Sequence, residues 1–293
     1  MTIVSGKACS FRWPRLLRKS ERSGPDPLLL YVPTLWTKSF REDAVADQPA
    51  YVILGRGRWA ARMHSILVGE NRRVVSIPET RRRGGESDAA YRSRLAEAMT
   101  ASNAQIAWLC VLPGPHIPSM IDGALDAGLH VAAEKPWQGS RRVTASLLAR
   151  AKSLRRLIAV HFEYCFLQEV ERWRGDFYPG SGLRFGGRFF LNRPNHMGIP
   201  AIDNLGVHLL AIRAYGAPQS SVQEIRCGYE QPDERSVWLR RRNTRVAFID
   251  LLANKEPIIQ RFIAKLEASL EGADFPLDLE FALKVSNDAE ALR

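Results

Sequence analysis

The chain has 293 residues, of which 45% are hydrophobic and 25% charged, and it carries a formal net charge of +11. That length and balance suit a globular protein with a core large enough for two domains, and no apolar run reaches the ~20 residues of a membrane-spanning helix. The basic residues are scattered (Arg72-Arg73, Arg81-Arg82-Arg83, Arg141-Arg142, Arg155-Arg156, Arg240-Arg241-Arg242), with no continuous basic stripe or aromatic stacking motif, so no nucleic-acid partner is expected. An anionic small molecule, or simply an arginine-rich background composition, accounts for the charge.

Residues 1 to 48 do not read as part of a fold. Trp13-Pro14, Gly24-Pro25-Asp26-Pro27 and Pro33 interrupt any periodicity. This basic extension is expected to be disordered or non-native, as an over-extended translation start would be; a transit peptide is the competing reading. Cys9, Cys110, Cys165 and Cys227 are far apart and form no C-x-x-C pair. Reduced thiols in a cytoplasmic protein, with no metal centre, are the economical expectation.

Order is expected from Tyr51 onward. Tyr51-Val52-Ile53-Leu54 is a short apolar run, as a central parallel strand must be. Gly55-Arg56-Gly57-Arg58-Trp59-Ala60 follows as a turn, then a helix to Val68, a strand over 73–77, a helix over 91–100 and a strand over 106–112. A helix over 118–127 ends at Gly128, and the apolar run after it delivers Glu134-Lys135-Pro136. This alternation predicts a Rossmann dinucleotide-binding domain over 49–160. Gly55 permits the tight turn, Gly57 lets a pyrophosphate approach the backbone, and Ala60 stands for the third glycine at the helix–strand contact. The following helix N-terminus, with Arg58 and Trp59, offers N–H groups to phosphates. Glu79, beyond the second strand, is placed to accept from ribose hydroxyls and speaks for NAD; Arg81 and its neighbours favour a 2′-phosphate and speak for NADP.

Beyond Pro136 the pattern changes to helices over 140–153 and 168–174, strands over 157–160, 183–191, 221–229, 236–241 and 245–252, and helices over 256–271 and 278–292. This predicts an α/β chain whose second domain, 161–293, is α+β and built on a mainly antiparallel open sheet.

Two segments carry a family resemblance. The glycine turn followed by Ala124-Leu125-Asp126-Ala127-Gly128-Leu129-His130-Val131-Ala132-Ala133-Glu134-Lys135-Pro136 resembles the glucose–fructose oxidoreductase/inositol dehydrogenase (Gfo/Idh/MocA) family, and Asp203-Asn204-Leu205-Gly206-Val207-His208 resembles that family's D-x-G-x-H segment. The resemblance implies an NAD(P)(H)-dependent oxidoreductase acting on a sugar-like or polyol substrate, and a homo-oligomer. Lys135 would then sit beside the nicotinamide and stabilise charge on the reacting oxygen, with His208 as acid/base. Pro113, Glu134 and Lys135 would join the glycine turn in holding the cofactor. Asp203 and Asn204, with Arg193 and His196 of the loop before them, are the expected substrate contacts. The chain departs from the family at three places: Asn204 stands four residues before His208, His116 lies three rather than four residues after Pro113, and Cys165 replaces a common arginine. Relatives that reduce thiazoline imines make an imine reductase of natural-product biosynthesis the alternative. A non-catalytic nucleotide-binding protein is the reading from outside enzymology.

Overall fold

The computed structural model describes residues 48–176, 182–272 and 275–293, so all but Gln48 of the expected N-terminal extension lies outside the described residues. The first half alternates β1 (Tyr51–Leu54), α1 (Arg58–Gly69), β2 (Val74–Ile77), α2 (Asp88–Ala101), β3 (Ile106–Leu109), α3 (Ile117–Asp126), β4 (His130–Glu134), α4 (Arg141–Ser153) and β5 (Ile158–His161). The five strands pair in parallel in the order β2-β1-β3-β4-β5. Every residue of β1 and β3 is buried, which is why these strands contain no alternating polar positions. Ser87 and Ser140 cap α2 and α4 by accepting the amides of Ala90 and Val143, and Gly128 leaves the α3 end with φ +73°.

The strand expected over 106–112 stops at Leu109. Cys110 still donates to Leu54 O at 2.9 Å, but β1 has ended there, so Val111 and Leu112 have no neighbour to pair with and Leu112 is 60% exposed. Sheet order reverses between β1 and β3, so a crevice forms above their carboxyl ends. That is where open α/β sheets bind ligands.

The second half begins with a 3-10 turn (Glu163–Phe166) and α5 (Gln168–Asp176), followed by β6 (Leu183–Leu191), a π turn (Ile202–Gly206), α6 (Val207–Gly216), β7 (Ser221–Tyr229), β8 (Glu234–Arg241) and β9 (Thr244–Asp250). The four strands run in the order β7-β6-β8-β9. The β6–β8 and β8–β9 pairs are antiparallel, the second closed by Arg242-Asn243 with Arg242 at φ 55°. The β6–β7 pair is parallel, since α6 carries the chain back across the sheet before β7 starts. One face of this sheet packs on α6: a side chain at Gly187 would come within 3.0 Å of Leu209.

The last two helices, α7 (Ile258–Ala268) and α8 (Leu279–Glu290), return toward the parallel sheet. Tyr51 donates to Glu267 of α7 at 2.7 Å, and Arg72 holds the same carboxylate from Nε and Nη2, both at 2.8 Å. Phe262 of α7 packs on Trp108 of β3. Leu277 O accepts the amide of Val160 at 2.7 Å and so covers the β5 edge. A division of the chain at residue 160 therefore leaves the parallel sheet partly covered by segments from the other side of that division. Among the described residues no helix is long and apolar enough to cross a membrane.

Candidate active site

The glycine turn occupies the point of sheet reversal. Gly55 has φ +134°, and a Cβ there would lie 2.3 Å from Cys110 O; only glycine lets β1 pass β3 so closely. Gly57 is different. Its backbone is ordinary, and a Cβ would meet nothing within 4 Å, so the space above it is open toward solvent. Gly57 precedes α1 without a side-chain cap, and the first turn of α1 holds no acid. Unclaimed N–H groups above an open glycine suit a pyrophosphate. Ala60 is buried against the sheet, whereas Arg58 is exposed.

Glu79 and Arg81 are both exposed on the loop after β2. Arg56 Nη1 stands 3.9 Å from Glu79 Oε1. The loop is clamped by Arg94, which donates to the Glu86 carboxylate at 2.8 and 3.0 Å and to Arg81 O at 2.9 Å. Arg82 pairs with Asp88. A carboxylate and guanidinium groups thus share the rim where an adenosine ribose would be read. Half-buried Pro113 opens the β3–α3 loop, and Gly114, Pro115, Ile117, Pro118, Pro136 and Trp137 line a cleft of about 200 Å³ between that loop and the one after Lys135. His116 immediately precedes α3 and makes no side-chain cap to it.

Glu134, Lys135 and Pro136 sit at the carboxyl end of β4, with a cis peptide between Lys135 and Pro136. Glu134 Oε1 accepts from the indoles of Trp59 (2.5 Å) and Trp108 (3.0 Å) and lies 3.2 Å from His161 Nδ1. Burial pushes this carboxyl up, but the facing His161 and the donated hydrogen bonds outweigh it and hold it below its ordinary range. The converse holds for His161, whose burial is outweighed by Glu134 and Glu163 so that its pKa is raised. Trp59 stacks on the imidazole of His161 at 5.7 Å. The Glu134 side chain therefore ties α1, β3, β4 and β5 together.

Lys135 Nζ donates to both Asn204 O (2.9 Å) and Asn204 Oδ1 (3.0 Å), and Asn204 Nδ2 donates to the Tyr229 hydroxyl. Burial lowers the Lys135 pKa, with Glu163 and Glu134 opposing and Arg193 adding to the effect. His208, one turn on, is buried between Tyr164 (ring centroids 5.2 Å apart, edge-on) and Phe189 (5.4 Å, stacked), and its Nδ1 has no partner. Burial first, then the charges of Lys135, His161 and Arg235, hold it well below its ordinary value. These surroundings favour the uncharged imidazole.

The structure thus brings Lys135, Asn204 and His208 together and leaves the other expected substrate contacts apart. Asp203 points away from Lys135 into a two-pronged ion pair with Arg293. Arg193 is exposed on its loop, near enough for its charge to bear on Lys135, and His196 is exposed three residues further on. His161, Glu163, Tyr164, Tyr229 and Arg235 are site residues that the sequence reading did not single out. His161 and Glu163 had one usable signal, two ionisable residues closing an apolar strand at the sheet's carboxyl edge. Tyr229 and Arg235 had none, because the nearness of Tyr229 to Asn204 and of Arg235 to His208 depends on how distant strands pack.

No protein-family model and no curated protein matches the chain. Solved structures do. UDP-N-acetylglucosamine 3-dehydrogenase GnnA from Acidithiobacillus ferrooxidans superposes with a TM-score of 0.63 at 13% identity, covering 83% of this chain and 96% of that one. An inositol dehydrogenase homologue from Azotobacter vinelandii, solved with NADH and myo-inositol, gives 0.58 at 13% identity, over 83% and 94%. KijD10, a 3-ketoreductase from Actinomadura kijaniata solved with TDP-benzene and NADP, gives 0.60 at 15% identity, over 83% and 96%. The chain therefore has the two-sheet fold of these dehydrogenases and reductases, in agreement with the resemblance read from its motifs.

Proposed function

We propose that the protein is an NAD(P)-dependent oxidoreductase of the Gfo/Idh/MocA kind that exchanges hydride with a hydroxyl-bearing or carbonyl carbon of a sugar-like or polyol substrate. One observation carries this reading: Lys135, at the carboxyl edge of the parallel sheet, is held by Asn204 one helical turn from the neutral imidazole of His208. The open space over Gly57 and the uncapped start of α1 suit a dinucleotide phosphate, with Glu79, Arg81 and Pro113 as further contacts. A bound nicotinamide would accept or supply the hydride. In the oxidative direction His208 takes the hydroxyl proton of the substrate, and the Lys135 ammonium stabilises the alkoxide that forms. In the reductive direction the proton returns from His208 to the new hydroxyl. Arg193, whose charge bears on Lys135, is a further candidate substrate contact. The three free cysteines among the described residues fit a cytoplasmic protein, and a homo-oligomer remains part of this reading.

The imine-reductase alternative has one point in its favour, since a neutral Asn204 rather than a carboxylate adjoins Lys135. Titration of the protein with NADH and NADPH, followed by quenching of tryptophan fluorescence, tests the cofactor site. A screen of polyols, sugar acids and cyclic imines that follows reduced-nicotinamide absorbance then tests the reaction. Oxidation of a hydroxyl-bearing substrate is expected; reduction of imines alone would favour the alternative, and failure to bind either dinucleotide would overturn both.

A further inference from the structure

The face of the second sheet that packs on α6 carries one arginine in the apolar surroundings of His208. In the antiparallel β6–β8 pair Arg235 stands directly opposite Phe189, so both side chains leave the same face. Phe189 stacks on the His208 imidazole with ring planes 17° apart, and the Arg235 guanidinium carbon lies 5.1 Å from the centroid of the same Phe189 ring. Arg235 also neighbours the Tyr164 hydroxyl, whose ring meets His208 edge-on.

Three buried polar atoms here lack a hydrogen-bond partner: Arg235 Nε, His208 Nδ1 and His161 Nε2. Leaving such an atom unsatisfied is costly, most of all on a charged group, and a bound ligand is one way to satisfy it. Among the described residues no carboxylate pairs with Arg235. Arg188 and Arg240, on the opposite face of the same sheet, also have an unpartnered Nε, but the Arg188 guanidinium has carboxylates beside it, Glu234 at 3.3 Å and Glu224 at 3.8 Å. The charges around His208 also fail to balance. Lys135 and Arg235 are cations, and His161 has a raised pKa; Glu134 is already engaged by two indoles and His161, which leaves Glu163.

We propose that Arg235 anchors an oxyanion of the substrate, a carboxylate or a phosphate ester, so that the enzyme acts on acidic rather than neutral sugar-like compounds. The aromatic ring beneath the guanidinium fixes its plane, and Nε with one Nη presents the two-pronged edge that matches a pair of oxyanion oxygens. The proposal rests on the reading of Lys135 and His208 as the reacting end of the site.

The test is calorimetric binding of glucuronate, a hexose phosphate ester, glucose and myo-inositol to wild-type protein, Arg235→Met and Arg235→Lys. NADH and NADPH affinities are measured on each protein in parallel. At least one oxyanion probe is expected to bind the wild type about tenfold or more tightly than either neutral probe, and Arg235→Met should erase that preference. Arg235→Lys, which keeps the charge and loses the fork, should recover part of it. Dinucleotide affinity should stay the same in all three proteins, because its site lies at Gly57. Whichever oxyanion depends on Arg235 identifies the group as carboxylate or phosphate. Equal binding of charged and neutral probes, no binding of either oxyanion, or a preference that survives in Arg235→Met overturns the proposal. Loss of dinucleotide binding by the wild type would instead overturn the oxidoreductase reading. Should Arg235→Met fail to fold, the wild-type preference and the Arg235→Lys shift decide the matter.

Discussion

Lys135 is held twice by Asn204, through the backbone carbonyl at 2.9 Å and the side-chain oxygen at 3.0 Å. Both acceptors are neutral, so they orient the ammonium without cancelling its charge, and burial keeps its pKa down. A carboxylate in place of the carboxamide would favour the charged form. Asn204→Asp is therefore expected to raise the Lys135 pKa and move the alkaline limb of kcat/KM to higher pH. The pH profile of hydride transfer checks this, and an alkaline limb that stays put would show that Lys135 does not set it.

Gly55 and Gly57 are expected to fail in opposite ways. A Cβ at Gly57 meets no protein atom within 4 Å, so Gly57→Val should preserve thermal stability while dinucleotide affinity falls by orders of magnitude, since the side chain would fill the phosphate space. Gly55→Ala puts a Cβ against Cys110 O and forces alanine to φ +134°, at a cost on the order of 2 kcal/mol or more. Paired thermal melts and dinucleotide titrations separate the two. A destabilised Gly57→Val, or one that binds normally, would place the phosphates elsewhere.

The parallel sheet was legible because its strands other than the edge strand β2 are buried on both faces and its turns need glycine at defined places; Tyr51–Leu54, Gly55 and Gly128 announce themselves. Lys135 was legible for a similar reason, since a charged residue ending an apolar strand must reach a sheet edge. The partners of these groups were not. Asn204 rather than Asp203 faces Lys135 because the π turn of residues 202–206 rotates successive side chains differently from an α-helix, and nothing local in the sequence reveals that turn. Arg235 meets His208 only through the register of β6 against β8 and the packing of α6 beneath them. Glu134 reads as a cofactor contact by position, yet its carboxylate oxygen binds two tryptophans far apart in sequence.

His130 predicts how stability changes with pH. Its Nδ1 accepts the Leu157 amide at 3.1 Å, which requires the neutral imidazole, and burial with nearby Arg156 lowers its pKa to about 4. A histidine depressed in the folded state contributes stability that is complete above its ordinary 6.5 and is lost as pH falls toward about 4. The melting temperature should therefore decline across that window. His130→Asn, which keeps an acceptor near the Nδ1 position and cannot titrate, should flatten the decline; an unaltered slope would assign it to other groups.

The last prediction concerns how Lys135 and His208 share the reaction. Lys135→Ala removes charge stabilisation at the reacting oxygen and should slow hydride transfer by about a hundredfold or more with little change in dinucleotide affinity. His208→Ala removes the base and should also slow the oxidation. Its pH signature follows from its surroundings: burial, with Lys135, His161 and Arg235 adding their charge, holds His208 well below 6.5 in the free enzyme. The acid limb of kcat/KM for oxidation should therefore lie well below neutrality, instead of at the near-neutral pH where an unperturbed histidine would put it, and His208→Ala should remove it. Both groups serve one transition state, so the double variant should be less impaired than the product of the two single effects. Fully multiplicative losses, measured in single turnovers with saturating cofactor, would mean that the two residues act at separate steps. Hydride transfer at the wild-type rate by Lys135→Ala would remove the Lys135–Asn204–His208 arrangement from the chemistry altogether.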